Sequence, residues 1–201
     1  MEIYMGFGLL FVGYLFLFNF PLHNFFGIDS IPDLIGYVVM CVGIFKLSNY
    51  IDKFKAAKPI IFPMIVFASA RSAISVLSYL DFDVPAALCD VLWTVEAVLI
   101  ILLHYFILEG IFDIAKETEL KKISIRAKRN EICLAIYALS LAVIKLFATA
   151  AVFWSWVKTV TLLFGIWLIL LCAMLIFSSY MWICLPKDLD MKPREFKISK
   201  K

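Results

Sequence analysis

Apolar residues fall into six long blocks, near 3–20, 32–48, 59–80, 86–110, 132–154 and 159–184, separated by short polar stretches. A helix rising ~1.5 Å per residue needs about 20 such residues to cross a hydrocarbon core of ~30 Å. The second block is the shortest and the fourth the longest, so the tilts should differ. None alternates apolar and polar residues with period two, the mark of a membrane-barrel strand. The pattern predicts an all-α integral membrane protein, a six-transmembrane-helix bundle arranged as three in-out-in hairpins. Composition agrees: 64% of the 201 residues are hydrophobic, 17% are charged, and mean hydropathy is +0.96. Soluble domains are about half apolar and about a quarter charged. The first block follows Met1-Glu2-Ile3 without a basic leader or a small-x-small cleavage site, so it is expected to remain as the first helix.

Charge gives the expected orientation. Sixteen of the nineteen lysines and arginines lie after blocks two, four and six. They are Lys46, Lys53, Lys55 and Lys58, then Lys116, Lys121, Lys122, Arg126, Lys128 and Arg129, then six between Lys187 and Lys201. The opposite loops hold Lys158 and the acids Asp29, Asp33, Asp81 and Asp83. Basic loops stay in the cytoplasm, so a multi-pass protein of the cell membrane with both termini inside is expected. Residues 1–186 would form the transmembrane domain and 187–201 a short basic tail. The basic face should attract anionic lipid headgroups of the bilayer. Divided over three segments of a membrane protein, it does not suit nucleic acid.

The first two expected outer turns share a loose pattern, Ile28-Asp29-Ser30-Ile31-Pro32 and Phe82-Asp83-Val84-Pro85. Each supplies a capping side chain and a proline in the first turn of the next helix, by convergent capping or as a trace of an internal repeat. The longer stretch Ile28-Asp29-Ser30-Ile31-Pro32-Asp33-Leu34-Ile35-Gly36-Tyr37 resembles an I-D-x-[IL]-P-D-x-I-G-Y motif of a family of uncharacterised small bacterial membrane proteins. The resemblance implies a polytopic protein of the bacterial plasma membrane and brings no activity with it. Gly6 and Gly13 on the first helix, and Gly36 and Gly43 on the second, are each seven apart and share a face, which allows close helix approach.

Ionisable residues inside the blocks carry the functional expectation, because a charge at mid-membrane costs at least ~2.5–3.5 kcal/mol and is paired or faces a cavity. Counted from the block ends, Arg71, Glu96 and Lys145 all sit roughly 14 Å below the outer interface, with Asp90 about 9 Å further out than Glu96. Helices three, four and five are expected to meet there, either as a buried ion-pair cluster or as a polar cavity for an ion or a small anionic ligand. Ser72, Ser75 and Ser78 extend the polar face of helix three, although a helical serine can bond its own backbone. His104, about 12 Å deeper than Glu96, and Glu109 could continue a stepped proton path, although Asp90 and Glu96 point about 120° apart.

No catalytic constellation emerges. Ser72 and Ser75 lie too far from His104 in depth for a serine–histidine pair. His23 and His104 occupy opposite halves, and the five cysteines lack metal or disulfide spacing, so no metal site or cofactor is expected. No Walker, G-x-G-x-x-G or H-E-x-x-H motif occurs. The expected function is transport-related: a small-molecule or ion pathway, or a membrane-embedded substrate-binding subunit. Size and topology resemble the substrate-binding subunits of energy-coupling-factor importers, but helix one carries Gly6, Gly8 and Gly13 in place of their A-x-x-x-A signature. The alternative is a non-catalytic regulatory or scaffold subunit holding a cytoplasmic protein partner. Direct closure of the charged groups in a dry core would favour the scaffold, and a cavity around them would favour transport. Glu96→Gln is expected to destabilise the fold by stranding the cations.

Overall fold

A computed structural model describes residues 2–17, 30–82, 85–146 and 153–184. Six α-helices follow in order: α1 (Glu2–Leu17), α2 (Ser30–Leu47), α3 (Asp52–Tyr79), α4 (Ala86–Glu117), α5 (Lys121–Leu146) and α6 (Phe153–Ser179). A π-helical turn, Tyr180–Cys184, continues α6. No strand occurs among the described residues. Three helices are long and apolar enough to cross a membrane, over Asp52–Tyr79, Ala87–Glu117 and Thr159–Ile183, while the apolar Met5–Leu17 is shorter. Large apolar side chains cover the outer surface, among them Val66, Leu139, Leu163 and Met174. Apolar character both inside and out suits a bundle solvated by lipid.

Each helix packs against its neighbours in the chain, and α1 also packs against α6, closing a ring. The seam is aromatic, with the Phe11 and Phe177 rings 5.2 Å apart. Tyr14, Tyr37, Met40, Met64, Leu103 and Cys172 are among the buried residues that fill the interior. Neighbouring helices run antiparallel. One end of the bundle carries the turn at Asp81, and the other carries the turn at Glu119.

Both turns are built the same way. Asp81 and Glu119 take left-handed backbone at φ 59° and 58°. Behind them Phe82 N–H donates to Leu77 C=O at 3.1 Å, and Leu120 N–H to Ala115 C=O at 2.8 Å. These are Schellman caps, which satisfy the last carbonyls of α3 and α4 and reverse the chain.

The glycines on α1 and α2 interlock as expected. A Cβ on Gly13 would lie 2.8 Å from the Gly36 carbonyl oxygen, and one on Gly43 would lie 2.9 Å from that of Gly6. Backbone therefore touches backbone at two levels of the α1–α2 interface.

The helix boundaries differ from the apolar blocks at the Glu119 end. α3 begins at Asp52 and carries Pro59 and Pro63 inside it. α4 runs on to Glu117, and α5 begins at Lys121, so most of the expected basic loops are helical. A salt-bridge network supports these extensions. Glu109 of α4 meets Lys53 of α3 at 3.0 Å and Lys128 of α5 at 3.3 Å, and Lys128 also bonds Glu131 at 2.7 Å. The carboxylates of Glu131 and Glu109 hold the Lys128 ammonium above the ordinary lysine range.

At the Asp81 end, Pro85 occupies the position before α4 rather than its first turn, and no side chain caps that helix. Asp29, Asp83, His23 and the tail 187–201 lie outside the described residues. Phe153 and Trp154, expected to end the fifth helix, belong to α6. Residues 147–152 are as apolar as the helices they join, so hydropathy alone does not mark the boundary.

Candidate functional site

Arg71 is the centre of the site. It lies on α3, two turns from the Asp81 end, within an otherwise apolar and serine-bearing stretch. One guanidinium nitrogen, Nη1, forms an ion pair with Glu96 Oε2 on α4 at 3.0 Å. The other, Nη2, donates to Asp33 Oδ2 on α2. Three consecutive helices are therefore joined by one cation and two carboxylates. Glu96 is 2% exposed and Asp33 6% exposed. The Arg71 side chain keeps 27% of its surface accessible.

The cluster is unsaturated. Glu96 Oε1 is buried and has no hydrogen-bond partner. Tyr37, one turn beyond Asp33 on α2, is buried and within electrostatic reach of Glu96, Asp33 and Arg71. Asp33, Gly36 and Tyr37 thus have distinct physical roles. Asp33 bonds the arginine, Gly36 admits the α1 backbone, and Tyr37 fills the space beside the charges.

Two of the expected residues meet here, and a third helix differs from the expectation. Arg71 and Glu96 pair directly, and the further partner that the described residues show is Asp33 of α2. In the closed ring α3 packs between α2 and α4, and α5 packs between α4 and α6. Lys145 stands near the end of α5, and the chain has already entered α6 by Phe153. Lys145 is therefore nearer the Asp81 end than the common depth expected for it. The side chains of Lys145 and Asp90 lie outside the described residues.

Asp33, expected in a loop among the outer acids, is the residue that sequence reasoning missed. It sits at the edge of an apolar block, where an acid reads as a cap. The signal that could have found it was its place four residues before Tyr37 on one helix face.

Ser75 lies one turn beyond Arg71 and is half-buried. Ser72 donates to Ala68 C=O at 2.9 Å, satisfying itself on its own helix. His104 is buried, with Nδ1 donating to Ile100 C=O at 2.8 Å and its ring edge-on to Tyr14 of α1 at 5.2 Å. Glu109 is held by two lysines. Glu96, His104 and Glu109 thus address α3, α1 and the α3/α5 lysines respectively, and do not line one face of α4. Asn130 of α5 is a second buried polar group, its Nδ2 without a hydrogen-bond partner. No group of three or more metal-ligating side chains occurs among the described residues.

Among the described residues the geometry defines a helical bundle with a buried cluster of one arginine and two carboxylates. Comparison with family models, with curated proteins and with solved structures returned no match.

Proposed function

We propose that the chain is a transport-related protein of the bacterial plasma membrane, crossing it six times with both termini in the cytoplasm. In this reading Asp33, Arg71 and Glu96 form the charged centre of a pathway for a small cation. The orientation rests on the basic residues. Lys46, Lys53, Lys55, Lys58 and Lys121 to Arg129 all belong to the Glu119 end, which the positive-inside rule puts in the cytoplasm. The cluster then lies in the outer half of the bilayer. The I-D-x-I-P-D-x-I-G-Y resemblance supports the bacterial setting.

One observation carries the functional reading: the unpartnered Glu96 Oε1 beside an arginine already shared with Asp33. A purely structural ion pair in a low-dielectric core is neutral and fully hydrogen-bonded, since each unmatched charge costs several kcal/mol. Here two carboxylates share one guanidinium. With its second oxygen unmatched, the buried Glu96 suits a positive ligand rather than the small anionic ligand expected from the sequence. A second reading, the non-catalytic scaffold, is favoured by the direct closure of Arg71 on both carboxylates and by the exposed basic residues Lys121, Lys122, Arg126 and Arg129.

Electrical recording separates the two. The full chain would be reconstituted in phosphatidylcholine–phosphatidylglycerol liposomes adsorbed to a solid-supported membrane and exposed to jumps in Na⁺, K⁺ or H⁺ concentration. The transport reading expects charge displacement by at least one cation, lost in Arg71→Met. Silence toward all three in a folded wild-type chain would leave only the scaffold.

A further inference from the structure

We infer that the cation held by the cluster is a proton, bound on Glu96 Oε1, which makes Glu96 a protonatable switch between α2, α3 and α4. This rests on the reading of the cluster as a cation site, and it names the cation.

The first argument is space. Glu96 is 2% exposed and its Oε1 touches no donor. Na⁺ or a protonated amine would need a coordination shell or a volume of its own at this atom. A proton needs neither.

The second argument is the asymmetry of the two acids. Arg71 Nη2 is committed to Asp33 and Nη1 to Glu96 Oε2, so the guanidinium has already met both carboxylates. Two carboxylates around one site do not both ionise freely, and the one with the unsatisfied oxygen takes the proton. Proton uptake from solvent forms an O–H bond on Oε1 and breaks no other bond. The charge of the three groups then goes from one negative to zero, with Arg71 and Asp33 still ionised.

The surroundings are consistent with a single titrating group. From α2, Tyr37 faces Glu96; from α3, Arg71 does. Among the described side chains no charged group of α5 or α6 faces Glu96; the side chains of Asp90, Lys145 and Lys158 lie outside the described residues.

Protonation changes what holds the helices together. Glu96 as a neutral acid keeps a weaker bond to Arg71, and the arginine leans on Asp33. The α3–α4 contact loosens relative to α2–α3, which is the asymmetry a proton-linked movement requires.

Infrared difference spectroscopy tests this on the full chain in nanodiscs, stepping from mildly alkaline to mildly acidic buffer. A protonated-carboxyl C=O band should appear on acidification, shift in D₂O, shift again when glutamate but not aspartate carries ¹³C at the side-chain carboxyl, and vanish in Glu96→Gln. Asp33→Asn should retain a glutamate band. Absence of the band in the wild-type chain, its survival in Glu96→Gln, or an aspartate label effect would overturn the assignment. The isotope arm needs no variant, so failure of Glu96→Gln to fold does not spoil it. A glutamate band without cation-driven current would sustain the proton site and remove transport. Current with Na⁺ and no band would sustain transport and remove the proton.

Discussion

At Arg71 the two terminal nitrogens take different carboxylates, and this decides what each neutralising substitution does. Glu96→Gln leaves Arg71 paired with Asp33 and removes a buried charge whose second oxygen is unmatched. Losing the ion pair to Arg71 costs about 1.5–3 kcal/mol, and relief of the desolvation of that buried carboxylate offsets much of it. Reversible unfolding of Glu96→Gln in bicelles should therefore fall within about 1 kcal/mol of wild type, rather than lose the ~3–5 kcal/mol of a stranded buried cation. A loss of the larger size would show that Asp33 does not hold the arginine. Arg71 and Glu96 were legible in the sequence because charges within apolar blocks stand out. Asp33 was not, because hydropathy gives depth along a helix and says nothing of which neighbour a side chain faces. The same limit explains Lys145, whose depth was counted from a helix end that lies elsewhere.

Glycine spacing, by contrast, carried the α1–α2 contact without loss. Residues seven apart return to nearly the same helix face, and two such pairs on consecutive helices have only one way to meet closely. A Cβ on Gly13 would stand 2.3 Å from Met40 Cγ and 2.8 Å from the Gly36 carbonyl oxygen, and the carbonyl cannot move aside. Gly8 differs, since a Cβ there would find only Tyr180 Cε2, at 3.8 Å. Gly13→Ala should lower stability by about 1–3 kcal/mol through overpacking. Gly8→Ala should be neutral or raise it by up to ~1 kcal/mol through helix propensity. Equal effects at the two positions, measured by the same unfolding assay, would contradict the close packing. The polar ends of α3, α4 and α5 were harder to read. Lys53, Glu109 and Lys128 are loop-like in composition and become helical because they neutralise one another across three helices.

For the whole molecule, the up-and-down ring follows from short turns, and its closure by α1 and α6 brings the first and last described helices together. The proposed six-span orientation makes a direct prediction at the two exposed left-handed turns. With the native cysteines replaced, Asp81→Cys should react with a membrane-impermeant maleimide on intact cells, and Glu119→Cys only after lysis. Labelling of both from one side would break the proposed topology while leaving the bundle intact.

Asp33, Arg71 and Glu96 form one cluster that joins α2, α3 and α4 at the centre of the bundle's charge. Unfolding free energies of Arg71→Met and of Asp33→Asn/Arg71→Met/Glu96→Gln in bicelles test it most directly. Arg71→Met removes the cation that Glu96 and Asp33 share and should lose about 3–5 kcal/mol, and the triple variant should regain most of that loss. Wild-type stability in Arg71→Met, or a triple variant no more stable than the single one, would contradict it.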